Sequence, residues 1–193
     1  MADLDYDQLL TAVKSTHGIR RRVTLESIEG AEEPVMPPTY LGSDNKPVYA
    51  ESERLIDGER VHAHLLDSVQ SQANRLEKAL QTAIDDGRLF VPHIVLEFSG
   101  TPVEHVGRLT SLEAPHRITD GYFRYAMDAE GREYRQSIVG EAVATATPHN
   151  ATPVYQLCPV SLLLGFWDSH AGSEGARFPR LLTSRITALN TVP

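Results

Sequence analysis

The chain has one cysteine, Cys158, in 193 residues. An internal disulfide is excluded, and a lone thiol fits a reducing compartment. Its flanks, Leu157 and Pro159, sit in an apolar run, so a buried structural thiol is expected there and not a nucleophile. Long apolar runs are missing too. None approaches the roughly 20 residues that cross a bilayer, so no membrane partner is expected. The first residues, Met1-Ala2-Asp3-Leu4-Asp5, have no basic stretch leading into an apolar one. No signal peptide is read there, and a cytoplasmic location is the expectation. Catalytic signatures are also lacking. Ser161 and Ser169 lie in no Gly-x-Ser-x-Gly elbow, and no His-Glu-x-x-His or paired-cysteine spacing occurs. The thirteen glycines are scattered, which leaves no phosphate loop or dinucleotide fingerprint. No cofactor, no metal and no catalytic residue are therefore expected. Finally, there is no excess of basic charge. Lys and Arg total 18 against 26 Asp and Glu, a net charge of −8, whereas nucleic-acid-binding domains are usually basic.

What is present qualifies that last absence, because binding depends on local charge and not on the sum. Arg20-Arg21-Arg22 form one cationic cluster, and Arg75 with Lys78 form another. The 41% apolar and 23% charged fractions describe an ordinary globular chain. Residues 1–193 are read as a single domain of sufficient length for a core.

The best-specified element runs from Asp67 to Ile84. Val69, Ala73, Leu76, Leu80 and Ala83 recur at helical spacing and predict its buried face. Asp67 or Ser68 is placed to cap its start, and Gly87 suits the left-handed position after its end. At about 100° per residue, Ser71, Asn74, Arg75 and Lys78 fall opposite the apolar stripe. A hydroxyl, an amide and two cations close together suit phosphate.

Around that helix the pattern predicts a short helix over 4–17 and a strand from Arg20 to Ile28. Gly30 to Glu53 reads as a long irregular excursion, with Val48 to Ala50 pairing against Glu53 to Ile56. Asp57-Gly58 is a tight-turn signal, followed by a strand from Glu59 to Leu66. Further elements are expected as a strand within 88–98, helices over 118–127 and 134–146, an apolar stretch over 150–165, and a helix or strand within 178–189. This order favours an α+β fold with a mostly antiparallel sheet. His62 and His64 share one face of their strand. With Asp57 or Asp67 they raise a metal-dependent RNA hydrolase as a rival reading, although half-buried hairpin histidines are the commoner outcome. Asp168 is placed to orient His116 or His170. Tyr40, Tyr49, Tyr122 and Tyr125 are candidates for base stacking, with packing the commoner role.

Asp67-Ser68-Val69-Gln70-Ser71-Gln72-Ala73-Asn74-Arg75 resembles the large backbone subunit of type I-G (formerly I-U) CRISPR effector complexes, of the RAMP superfamily. Pro37-Pro38-Thr39-Tyr40, Leu109 to Ile118, Asn150-Ala151-Thr152, Leu157-Cys158-Pro159, Leu164 to Ser169 and Gly175 to Phe178 are similar to the same family in the same order. Members of that family are longer, so a C-terminal portion is expected to be lacking. The resemblance implies an RRM-like ferredoxin core with helices and a long inserted thumb, here 30–53. It implies a non-catalytic subunit that polymerises along the spacer of a CRISPR RNA. The implied partners are that RNA, target DNA through guide pairing, neighbouring copies and other effector subunits. Arg20, Arg21, Arg22, Ser71, Asn74, Arg75, Lys78, His116 and Arg117 would face RNA. Pro37, Pro38, Tyr40 and Lys46 would contact a neighbouring copy. A module whose acidic surface docks a basic partner is a third reading.

Overall fold

The computed structural model describes residues 5–30, 32–128, 130–169 and 175–191. The chain divides into two units, 1–36 and 37–193. The first holds helix α1 (Tyr6–Ser15), started by a reciprocal cap. The Asp5 carboxylate accepts the Gln8 N–H at 2.8 Å and the Gln8 side chain accepts the Asp5 N–H at 3.2 Å. Tyr6, Leu9, Leu10 and Val13 recur at helical spacing, yet no residue of α1 is buried. The strand expected from Arg20 to Ile28 does not form. Alternation supplies two faces, but a strand also needs a neighbour to take its backbone hydrogen bonds, and alternation names none.

The second unit begins with β1 (Thr39–Leu41) and β2 (Pro47–Tyr49), an antiparallel hairpin with Tyr40 opposite Val48. The expected irregular excursion thus contains regular structure. Val48 pairs back onto Tyr40, and not with residues 53–56. β3 (Glu51–Ile56) and β4 (Glu59–Asp67) form a second hairpin. Asp57 and Gly58 both have positive φ, 52° and 88°, the backbone of the expected tight turn. Helix α2 (Val69–Asp85) follows at once. Shorter elements come next: β5 (Val95–Glu97), β6 (Arg108–Thr110), α3 (Gly121–Arg124), α4 (Ile138–Ala144), α5 (Thr152–Leu157), α6 (Pro159–Leu164), β7 (Phe166–Trp167), β8 (Arg177–Phe178) and β9 (Ile186–Leu189). The helices expected over 118–127 and 134–146 are each split into a 3-10 turn and a shorter helix.

The fold is mixed α+β with small antiparallel sheets, in agreement with the expected class. The strand orders are β1-β2, β3-β4-β9, β5-β6 and β7-β8. No RRM or ferredoxin arrangement is present among the described residues. Of the two strands expected at 20–28 and 88–98, the first does not form. The second shrinks to β5, which pairs with β6 and not with the β3-β4-β9 sheet. No described helix is long and apolar enough to cross a membrane.

Ser68 caps α2, its hydroxyl accepting the Ser71 N–H at 3.1 Å. At the other end Gly87 has φ 69°, and the Arg88 and Gly87 N–H groups bond Ala83 and Ile84, a Schellman closure. The buried face follows the expected stripe only in part: Ala73 is in the core and Leu80 packs against it, but the face is rotated toward two polar residues. Its deepest residues are Ala73, Glu77 and Gln81, while Leu76 is 38% exposed. Two polar residues sit at the centre because each finds a partner there. The Gln81 carbonyl accepts the Thr110 hydroxyl at 2.7 Å. Glu77 receives both arms of the Arg117 guanidinium, at 2.6 and 2.9 Å, and the third nitrogen of Arg117 donates to the Gly165 carbonyl at 3.0 Å.

Around this tie lies the apolar core, which includes Ala73, Leu112, Ile118, Val143, Val154, Leu164, Phe166 and Phe178. Phe166 and Phe178 stack at 5.0 Å across the β7-β8 pair. Cys158 is fully buried, as expected, with Ser161 at 3.4 Å and Ser111 at 3.6 Å. Gly165 has φ 75°, and a Cβ there would lie 2.8 Å from the Arg180 backbone nitrogen, so both conformation and space require glycine.

Burial pushes the Glu77 carboxyl up, against the pull of the two Arg117 bonds. The pair is therefore costly to desolvate and costlier to break. Arg117→Met is expected to lower stability by about 3–5 kcal/mol, while Glu77→Leu combined with Arg117→Met recovers most of the loss. Urea unfolding midpoints of the three proteins measure this. Gly165→Ala is expected to cost about 1–3 kcal/mol by the same measurement.

Candidate nucleic-acid interface

The polar face of α2 is organised from the residue before its cap. Asp67 ends β4, and three groups from the first turns of α2 converge on its carboxylate. Gln72 Nε2 donates at 2.6 Å and Arg75 Nε at 2.9 Å, and the Ser71 side chain bonds it as well. The Ser71 bond is the foremost reason that the Asp67 carboxyl is held below its usual value. Gln72 and Arg75 add to this, and desolvation opposes it. The Gln72 carbonyl also accepts the Ser184 hydroxyl at 2.8 Å, which fixes the amide from both sides.

Arg75 is thereby oriented without being covered. Its side chain is 72% exposed against 14% for Asp67. Only Nε is engaged among the described residues. The two terminal nitrogens, with four of the five guanidinium N–H groups, are free to point outward. Asn74 and Lys78 are exposed beside it along the helix, and neither forms an ion pair among the described residues. The predicted quartet does lie along one helix, but its members differ. Ser71 is half-buried and turned to Asp67, Arg75 is splinted, and Asn74 and Lys78 are open.

The other predicted RNA residues belong to other segments of the chain. Arg20, Arg21 and Arg22 are exposed in an irregular stretch of the first unit. His116 is exposed, whereas its neighbour Arg117 is 8% exposed and bonded to Glu77 and Gly165. Arg117 is thus a core residue, contrary to the expectation that it faces RNA. Its φ of 53° turns the chain so that consecutive side chains part company. Of the expected thumb contacts, Pro37 is half-buried, and Pro38, Tyr40 and Lys46 are exposed. Tyr40 lies in β1, and Lys46 sits at the hairpin turn 3.4 Å from Asp44.

The residues of the hydrolase reading are dispersed. Asp57 occupies the β3-β4 turn, and Asp67 holds Arg75. His62 and His64 face Glu51 and Thr191, partners that strand alternation does not name. Glu51 was detectable in principle, because it stands opposite His64 in the β3-β4 register. No cluster of three or more His, Cys, Asp or Glu side chains is placed to hold a metal among the described residues. Asp168 pairs with Arg135 at 3.2 Å and Arg124 at 3.5 Å, and not with His116. His170 lies outside the described residues. Tyr122 and Tyr125 are 57% and 69% exposed. With Phe98, Val103 and Met127 they line an open apolar cleft of about 700 Å³.

The family model described as CRISPR-associated protein GSU0053 (Cas_GSU0053) matches residues 19–193. No curated protein and no solved structure matches the chain.

A carboxyl held low in the folded state stabilises above its unfolded value and loses that contribution as pH falls through its folded value. Asp67→Asn is therefore expected to flatten the fall in stability below about pH 4. The loss at neutral pH should stay below about 1 kcal/mol, because Arg75 is largely solvated. Urea unfolding across an acid pH series checks both.

Proposed function

The chain belongs to the CRISPR-associated protein GSU0053 family, and we propose that it is the RNA-binding backbone subunit of a type I-G antiviral interference complex. In this reading copies polymerise along the spacer of a CRISPR RNA and carry no catalytic role. Target DNA is recognised through guide pairing, while the protein holds backbone and shape. The β1-β2 hairpin, with Tyr40 and Lys46, serves as the thumb that reaches a neighbouring copy. An RRM-like core is the architecture this reading expects of the assembled subunit.

The observation that carries the proposal is the splinted arginine. Asp67 grips Arg75 by Nε alone, so the outward fork keeps the geometry that matches two phosphate oxygens. Asn74 and Lys78 extend the same helix side by one turn, which suits a second contact on a single strand. Net charge of −8 is no obstacle to a contact this local. It keeps non-specific binding low, so affinity rests on the placed cations.

The test is RNA affinity as a function of salt, using the protein assembled on a single-stranded RNA of guide length. Each phosphate contact on a single strand contributes a log–log slope of about 0.7. Arg75→Gln with Lys78→Gln is expected to shallow the slope by about 1.4. An assembled protein without bound RNA, or an unchanged slope in the double variant, refutes the reading.

A further inference from the structure

Strand alternation gives β7 and β8 two unlike faces. Phe166 and Phe178 pair on the inner face, where both are buried and stack at 5.0 Å. Trp167 and Arg177, the next register pair, stand on the outer face, and both are exposed. The Arg177 guanidinium lies over the indole, 5.5 Å from the ring centroid, within the range of a cation–π contact. Trp167 is still 56% exposed with that cation in place. Tryptophan is highly buried on average, so an indole left this open is informative.

Two further features set the pair apart. Arg177 has no carboxylate partner among the described residues, in a chain where acidic residues outnumber basic ones by 26 to 18. The exposed arginines Arg60, Arg88, Arg108 and Arg132 each hold a carboxylate. Asp168, adjacent to Trp167, is buried and taken by Arg124 and Arg135. The second feature is rigidity. The Asp168 N–H donates to the Ala176 carbonyl at 2.9 Å, and the Thr119 hydroxyl donates to the Trp167 carbonyl at 3.4 Å. The phenylalanine stack fixes both strands from beneath. A ring fixed in advance loses little freedom when a ligand binds.

We infer that Trp167 and Arg177 form a nucleotide platform. One unpaired base of a single-stranded RNA stacks on the open part of the indole, and Arg177 takes an adjacent phosphate. The pair calls for a ligand with a flat ring and an anion side by side, and a nucleotide supplies both. The strand is single because a base in a duplex is already stacked on its neighbours. Arginine suits the phosphate because its planar fork can bond two oxygens. The cleft beside Tyr122 and Tyr125 offers rings without a cation, and its charged lining residues are Glu97 and Asp120. Every base has a π face, so the platform holds a strand without reading its sequence. The inference rests on the RNA-binding reading and adds to it a contact with a base, distinct from the phosphate contacts of α2.

Trp167 is the chain's single tryptophan, so its fluorescence reports this place alone. The test titrates the full chain with oligouridylate of guide length and with an abasic ribose-phosphate chain of equal length. Binding is followed separately by the anisotropy of a dye on the nucleic acid. Oligouridylate is expected to quench Trp167, and the abasic chain to leave it unquenched. Trp167→Leu should weaken oligouridylate binding by about tenfold. Trp167→Phe keeps a ring and should stay within about threefold of the unaltered chain. Arg177→Gln should shallow the salt slope by about 0.7. Oligouridylate bound without quenching, equal quenching by the abasic chain, or full affinity in Trp167→Leu overturns the platform and leaves the Arg75 contact standing. No binding by anisotropy overturns both.

Discussion

The bidentate bond between Arg117 and Glu77 joins parts of the chain that nothing local holds together. Glu77 lies mid-helix, Arg117 follows the β6 turn 40 residues later, and the Gly165 carbonyl that takes the third nitrogen is 48 residues further on. Around it pack the residues of the main apolar core. Desolvating two charges is unfavourable by itself. The pair persists because both carboxylate oxygens and all three guanidinium nitrogens have partners. It also fixes the rotation of α2 about its axis. With Glu77 directed inward, Leu76 is turned to the surface, and Asn74, Arg75 and Lys78 are directed outward.

That rotation links the core to the surface. A helix held by apolar contacts alone can roll by a fraction of a turn with little penalty, whereas a two-pronged bond has one good geometry. Asp67 applies the same logic at the strand–helix junction, where Ser71, Gln72 and Arg75 converge on one carboxylate. The outward fork of Arg75 is therefore positioned twice, once by the buried pair that sets the helix face and once by the carboxylate that sets the rotamer.

Several of the segments that carry the family resemblance, in the second half of the chain, are framework. Within Leu109 to Ile118, the residues Thr110, Ser111, Leu112, Ala114, Arg117 and Ile118 are buried. Within Leu164 to Ser169, Gly165 accepts from Arg117 and adopts a backbone that admits no Cβ, and Asp168 gathers Arg124 and Arg135. Phe178, from the Gly175 to Phe178 segment, stacks on Phe166. In such runs each buried residue answers to a partner far away in sequence. Surface groups answer only to a ligand.

Local order was legible in the chain itself. The limits of α2, its glycine closure, the Asp57-Gly58 turn and the burial of Cys158 follow from spacing, from backbone freedom at glycine and from an apolar context. All are decided within a few residues. The amphipathic pattern of α1 was equally clear, although its apolar residues remain exposed. Only the tertiary structure decided which way α2 faces, because Glu77 and Gln81 become interior residues when Arg117 and Thr110 arrive to satisfy them. It also decided the opposite fates of His116 and Arg117, the failure of 20–28 to find a strand partner, and the meeting of Glu51, His62, His64 and Thr191. The reason is the same in each case. A hydrogen bond or ion pair needs its second member, and periodicity describes one member at a time.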